Sequence, residues 1–142
     1  MANQALYRAE AGSNRGLDAT FGFDWSPDDV NRLNSQITAG VRYNGPIASR
    51  PQDMVSFGFV YSKIADPFQT LPVGPGLTNL RAEKPPQSLP TLGSEKAIEV
   101  NYAAHLTRYF FVQPVFQYYV DVGGNSRIPN AAVFGFRTGL NF

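Results

Sequence analysis

"KAIEVNYAAHLTRYFFVQPVFQYYVDVGG", residues 96–124, is the stretch whose reading decides the fold. Every second residue belongs to one of two sets. Lys96, Ile98, Val100, Tyr102, Ala104 and Leu106 are mostly apolar; Glu99, Asn101, Ala103, His105 and Thr107 are mostly polar. After a break at Thr107-Arg108-Tyr109 the division returns. Phe110, Val112, Pro114, Phe116, Tyr118, Val120 and Val122 stand on one side, and Gln113, Gln117, Tyr119 and Asp121 on the other. A period of two is the signature of strands whose faces meet different surroundings. Two consecutive strands are therefore expected here, each greasy on one face and wet on the other.

The same alternation recurs along the chain, giving seven expected strands of roughly 8–12 residues, near the ~9–11 that cross a bilayer at a tilt. The first is short, around Gln4 to Glu10, and the turn from Ala11 to Gly16 follows it. The second sets Leu17, Ala19, Phe21, Phe23 and Trp25 against Asp18, Thr20, Gly22 and Asp24; Ser26-Pro27-Asp28-Asp29 ends it. The third sets Ile37, Ala39, Val41 and Tyr43 against Gln36, Thr38, Gly40, Arg42 and Asn44. The fourth sets Val55, Phe57, Phe59 and Tyr61 against Ser56, Gly58, Val60 and Ser62. The seventh sets Ala132, Phe134, Phe136, Thr138, Leu140 and Phe142 against Val133, Gly135, Arg137, Gly139 and Asn141. Links after strands one, three and five read as turns. Those after strands two, four and six include a long Pro- and Gly-rich segment over 65–94 and the stretch Gly123 to Asn130. Short turns at one end and longer loops at the other suit a membrane β-barrel.

Composition sharpens this. The 142 residues suggest one domain. Aromatics make up 13%, with 7 Tyr and 11 Phe, while only 16% of residues are charged, against roughly 25% in an average soluble domain. A net charge of +1 gives no electrostatic case for a nucleic-acid partner. The chain has no cysteine, which excludes disulfides and thiolate metal sites and suits an oxidising compartment. No signal-peptide pattern opens the sequence. No apolar run reaches the ~20 residues of a membrane-spanning helix, a test that barrel strands escape.

The wet faces carry Asn, Gln, Ser, Thr and Gly with isolated charges, rather than the Lys and Glu of an ordinary solvent face. Such a surface suits an aqueous lumen crossed by neutral, hydroxyl-rich solutes. The greasy faces place Trp25, Tyr43, Tyr61, Phe110, Tyr118 and Phe142 near strand ends, where an amphipathic ring anchors at a membrane–water boundary. The competing reading is a soluble antiparallel sandwich with Phe21, Phe57, Phe116 and Phe134 packed together inside. Scarce Lys and Glu on the polar faces, and a final strand running out to Phe142, favour the barrel.

Several stretches carry a resemblance: "NQALYRAEAGSNRGLDATFGFDWSPDDVNRLN", "AGVRYNGPIASRPQDMVSFGFVYSKI", "EKAIEVNYAAHLTRYFFVQPVFQYYVDVGGN" and "NAAVFGFRTGLNF". In this order they resemble the C-terminal part of the carbohydrate-selective porin family (OprB-like), from about Gln4 to Phe142. The resemblance implies an all-β fold, an antiparallel transmembrane β-barrel segment of about seven strands from a larger, sixteen-strand type of barrel. It implies passive diffusion of carbohydrates and similar small solutes across the bacterial outer membrane, with no chemistry and no cofactor. Expected partners are the bilayer, lipopolysaccharide and small sugars. Seven is an odd number and single-chain bacterial barrels are even. The remaining strands are therefore expected from a second chain, an N-terminal portion or oligomer partners, and Met1 need not be the native start. The alternatives are a split barrel piece with a structural or assembly role, and a soluble β-sandwich binding module.

Strand parity nominates Asp24, Arg42, Glu99, Gln113, Gln117, Tyr119 and Arg137 as lumen residues able to contact solute. Arg and carboxylates bind hydroxyls, and aromatic rings stack on sugar C–H faces. The plainer role for the charges is cross-strand pairing that stiffens the wall, worth about 0.2–1 kcal/mol each. His105 has no second His or Cys for a metal site and reads as a lumen or turn-end polar residue. No catalytic arrangement and no phosphate loop is expected. Pro114 lacks the ladder donor in mid-strand, so a local irregularity is expected there, or a missing hydrogen bond to strand five or seven.

Overall fold

In the computed structural model of the chain, residues 1–66 and 92–140 are described; most of the 65–94 segment, and Phe142 with its expected boundary role, lie outside them. Alternating side chains with β-branched and aromatic members form seven strands: β1 (Ala2–Arg8), β2 (Gly16–Trp25), β3 (Leu33–Asn44), β4 (Met54–Ile64), β5 (Ser94–His105), β6 (Phe110–Val120) and β7 (Ala131–Leu140). Each pairs antiparallel with its sequence neighbours in one open sheet of order β1 to β7. The described residues form no second layer, so the sandwich expectation is not met.

Register keeps the two faces apart across the whole sheet. Ala19, Val41, Phe57, Val100, Phe116 and Phe134 lie side by side in one apolar row, and Phe21, Ala39, Phe59, Ile98, Tyr118 and Ala132 in the next. On the opposite face, Asn3, Thr20, Gly40, Gly58, Glu99, Gln117 and Val133 form one row. The phenylalanines do not gather in an interior. Phe21 is 56% exposed, Phe57 45% and Phe134 80%, while Phe116 rests against Phe134 with ring centroids 4.8 Å apart. Buried apolar residues among those described are few. Ile64, Ala65 and Leu92 lie at the long-loop end and Ala103 near the short-turn end.

Two expectations are adjusted and a third is met. The first strand is Ala2–Arg8 rather than Gln4–Glu10. A bulge between Ala5 and Tyr7 shifts its register, and the Ala9 N–H, bonded 3.0 Å to the Arg15 carbonyl, already belongs to the turn. Gly16 closes that hairpin, because a Cβ there would stand 2.1 Å from the Tyr7 carbonyl oxygen. The third strand begins earlier than expected, at Leu33. A register shift between Leu33 and Ser35 breaks the alternation that would have announced it. At Pro114 the irregularity is present. The β5–β6 ladder is paired at Asn101/Val115 and again at Ala104/Val112, with no pair between and no change of register. The missing N–H leaves a gap on the β5 side, while Pro114 still pairs with Phe136 of β7.

Candidate functional site

All seven parity-nominated residues stand on the polar face, but they do not form one cluster. Four are joined in a ladder on β5 and β6. The Glu99 carboxylate accepts from Gln117 Nε2 at 2.5 Å and from Asn101 Nδ2 at 2.9 Å. Gln113 Nε2 donates to Asn101 Oδ1 at 2.8 Å, and the Tyr119 hydroxyl donates to Gln117 Oε1 at 3.2 Å. The strands dictate this. Glu99 and Gln117 are direct cross-strand partners, while Asn101 follows Glu99, and Tyr119 follows Gln117, at the two-residue spacing that keeps one face. The Glu99 carboxylate is held by two amide donors. Its bonds are charge-assisted, which makes them the stronger members of the ladder.

Beside the ladder the wall is hollow. Gly40 and Gly58 continue the Glu99 row across β3 and β4, and a Cβ on Gly58 would meet open space. A hollow of about 280 Å³ is bounded there by Thr38, Gly58, Val60, Glu99, Gln117 and Tyr119. It offers carboxylate and amide groups on one side, a tyrosine ring at the edge and bare backbone beneath.

Arg42 belongs to a second group. Asp18 accepts from Arg8 Nη2 at 2.5 Å, from Arg42 Nη2 at 3.4 Å and from Asn44 Nδ2 at 2.9 Å. This is the cross-strand pairing of the plainer reading, and it lines a trough of about 570 Å³ with Asn3, Thr20 and Ser56. Asp24 lies at the long-loop end of β2, within a hollow of about 320 Å³ that also borders Asn34 and Gln36. Arg137 is exposed on β7 opposite Gln113. Neither Asp24 nor Arg137 forms an ion pair with a described residue. Parity set Asn101 and Asp18 on the polar face without nominating them for the site, and Arg8 was not assigned. Their places follow from which residue faces which across strands, and the Glu99–Asn101 spacing was the one signal within a single strand.

The apolar face is bounded by polar clusters at both ends. Toward the long loops, Lys96 Nζ lies 3.0 Å from Asp121 Oδ2, and Asn130 Nδ2 donates to the Tyr118 hydroxyl at 3.1 Å. Trp25 and Tyr61 stand at this end as well. At the short-turn end Asp53, 1% exposed, accepts from Arg50 Nε at 2.5 Å, from the Tyr102 hydroxyl and from the His105 N–H at 2.9 Å. The Arg50 hydrogen bond holds the Asp53 carboxyl down at about 2, against the upward push of burial. The same bond raises Arg50. Tyr43 and Tyr102 mark this boundary, and His105 ends β5 beside it with its ring 5.7 Å from Phe111. Among the described residues no group of three or more His, Cys, Asp or Glu side chains is placed to hold a metal.

Residues 1–142 match the family described as "Carbohydrate-selective porin, OprB family". Porin B of Pseudomonas aeruginosa is 25% identical over 138 residues, which make up 96% of this chain and 30% of that protein. The high-pH structure of Pseudomonas putida OprB matches with a TM-score of 0.81 at 25% identity, over 99% of this chain and 34% of that one. The chain thus spans about a third of the length of these relatives, and its open antiparallel sheet corresponds to a fragment of the OprB β-barrel.

Proposed function

The chain belongs to the carbohydrate-selective porin, OprB family, and we propose that it forms the C-terminal wall of an outer-membrane barrel through which sugars and similar small solutes diffuse down their gradient. One observation carries the reading: a single layer of seven strands in which apolar side chains predominate on one face and polar ones on the other. Aromatic and aliphatic rows left open in one layer suit hydrocarbon tails, and the hydroxyl, amide and carboxylate face suits water and sugars. Leu17 and Trp25, at the two ends of β2, lie about 27 Å apart along the strand at ~3.4 Å per residue. At a tilt of about 40° this covers about 21 Å along the membrane normal, most of the ~25 Å apolar band of such barrels.

In this reading Trp25, Tyr43, Tyr61 and Tyr118 sit at the headgroup level. The ladder of Glu99, Gln113, Gln117 and Tyr119 is a strip along which a solute exchanges hydrogen bonds with water-like partners. Its donors and acceptors are already partly satisfied, so each contact is weak, as passage requires. Arg42, Asp24 and Arg137 extend the strip toward the two mouths. The family works by diffusion, so these residues bind and release solute and transform nothing.

Liposome swelling with sugars of increasing size tests the proposal on the complete assembly containing this chain. Swelling is expected with monosaccharides and should fall as the sugar grows. An assembly that inserts into liposomes yet passes no sugar would leave only a structural role for the wall.

A further inference from the structure

The polar face is not evenly charged from end to end. Asp24, Gln36, Ser62 and Glu95 form one row at the long-loop end. Among the described strand residues no Lys or Arg shares that end of the face, since Lys63 and Lys96 fall on the apolar side. Arginines gather at the other end. Arg8 closes β1, Arg42 stands near the end of β3, and Arg108 lies in the turn between β5 and β6. These three line one hollow of about 610 Å³ with Asp18, Asn14 and Gln52. That volume falls within the ~300–1,000 Å³ of ordinary small-molecule sites.

Three guanidinium groups thus share the hollow with one carboxylate. Arg8 is the one that Asp18 holds closely. Its Nη2 lies 2.5 Å from Oδ1, and its Nη1 donates to the Tyr7 carbonyl at 3.0 Å. Arg42 reaches Asp18 only at 3.4 Å, with its side chain 55% exposed. Arg108 forms no ion pair with a described residue. It donates to the hydroxyl of the neighbouring Tyr109 and lies 4.4 Å from that ring's centroid. A guanidinium has five N–H donors, so Arg42 and Arg108 keep most of theirs. The planar fork they present matches the paired oxygens of a carboxylate or phosphate. The acidic row does not cancel this surplus. Six residues of β2 separate Asp24 from Asp18, about 20 Å at ~3.4 Å per residue, more than two Debye lengths at physiological salt.

We infer that the short-turn mouth of this wall holds a binding site for a small hydroxylated solute bearing a carboxylate or phosphate group. Arg42 and Arg108 take the anion, and the Asn14 and Gln52 amides in the same hollow serve its hydroxyls. Asp18 competes with the solute for Arg42. The site fills from the short-turn side, because the row of Asp24 and Glu95 repels an anion approaching from the long-loop end. This rests on the barrel-wall reading above and adds a charged class of solute to it.

The test is single-channel recording on the complete assembly containing this chain, in planar bilayers at both polarities. Biotin on a T107C variant, capped by streptavidin at the end of each recording, marks the short-turn side. Glucuronate and glucose 6-phosphate are added to one side and then the other, with glucose as the neutral control. Either anion is expected to lower the current from the short-turn side at concentrations where glucose does not. From the long-loop side, on the order of tenfold more should be needed. The more effective of the two anions names the group the site prefers. R42Q and R108Q should each weaken the effect about two- to fivefold, as for an exposed ion pair. D18N should strengthen it by a similar factor, a gain that misfolding cannot imitate. Equal effects from the two sides, anions no more effective than glucose, R42Q and R108Q both unchanged, or D18N binding no more tightly would each overturn the inference. Glucose-driven swelling of the same preparation reports separately on diffusion. Swelling without the anion effect would sink the inference alone, and the anion effect without swelling would sink the diffusion reading alone.

Discussion

Glu99 accepts two amide hydrogen bonds on the polar face and has lone pairs left for a passing hydroxyl. Replacing it with alanine removes those acceptors and frees Gln117 and Asn101. At about 0.5–1 kcal/mol for a lost contact, E99A should slow monosaccharide swelling by a factor of about 2–5, with the barrel still assembled; E99Q should lose less. An unchanged rate in E99A would remove the ladder from the solute path. Asp53 calls for a different measurement. Its carboxyl is held at about 2, below the ordinary value, so the ionised form stabilises the folded short-turn end. That contribution is complete above about pH 4 and is lost as the pH falls toward 2. The protection of the His105 amide against hydrogen exchange, relative to the unfolded chain at the same pH, should therefore fall between pH 4 and 2. D53N should exchange faster at neutral pH and lack the acid step. The face of Glu99 follows from simple alternation, whereas Asp53 stands in the turn before β4. The partners of neither follow from it, because Glu99 meets Gln117, and Asp53 meets Tyr102, only through the way the strands pair.

Two elements show what alternation conveys and what it omits. The hairpin of β5 and β6 is legible almost residue by residue, since its pattern runs unbroken on both sides of a short turn. The start of β3 and the phase of β1 are not legible, because each contains a register shift that inserts a residue out of step. Pro114 is a third case: its chemistry alone announced the gap, and the gap lies on the β5 side. Restoring a donor with P114V should close the Tyr102/Pro114 pair and raise the unfolding free energy of the assembled barrel by about 0.5–1.5 kcal/mol. Denaturant titration in detergent measures it, and a lower midpoint would mean that the interruption relieves strain. Gly16 should behave in the opposite sense. A methyl group there meets the Tyr7 carbonyl, so G16A should destabilise the β1–β2 hairpin by on the order of 1–3 kcal/mol.

For the molecule as a whole, everything depends on which face meets lipid. Fold class was readable from the sequence because a period of two over seven segments leaves few alternatives, and the single layer removed the sandwich. The assignment of faces can be tested directly in bilayers. In a W25F background, a single tryptophan replaces Phe134 or Phe136 on the apolar face, or Val133 or Gly135 on the polar face. Fluorescence is then recorded in liposomes whose acyl chains carry bromine. Strong quenching is expected at positions 134 and 136 and little at 133 and 135. Equal quenching on both faces, or stronger quenching at 133 and 135, would contradict a wall whose phenylalanines face the membrane.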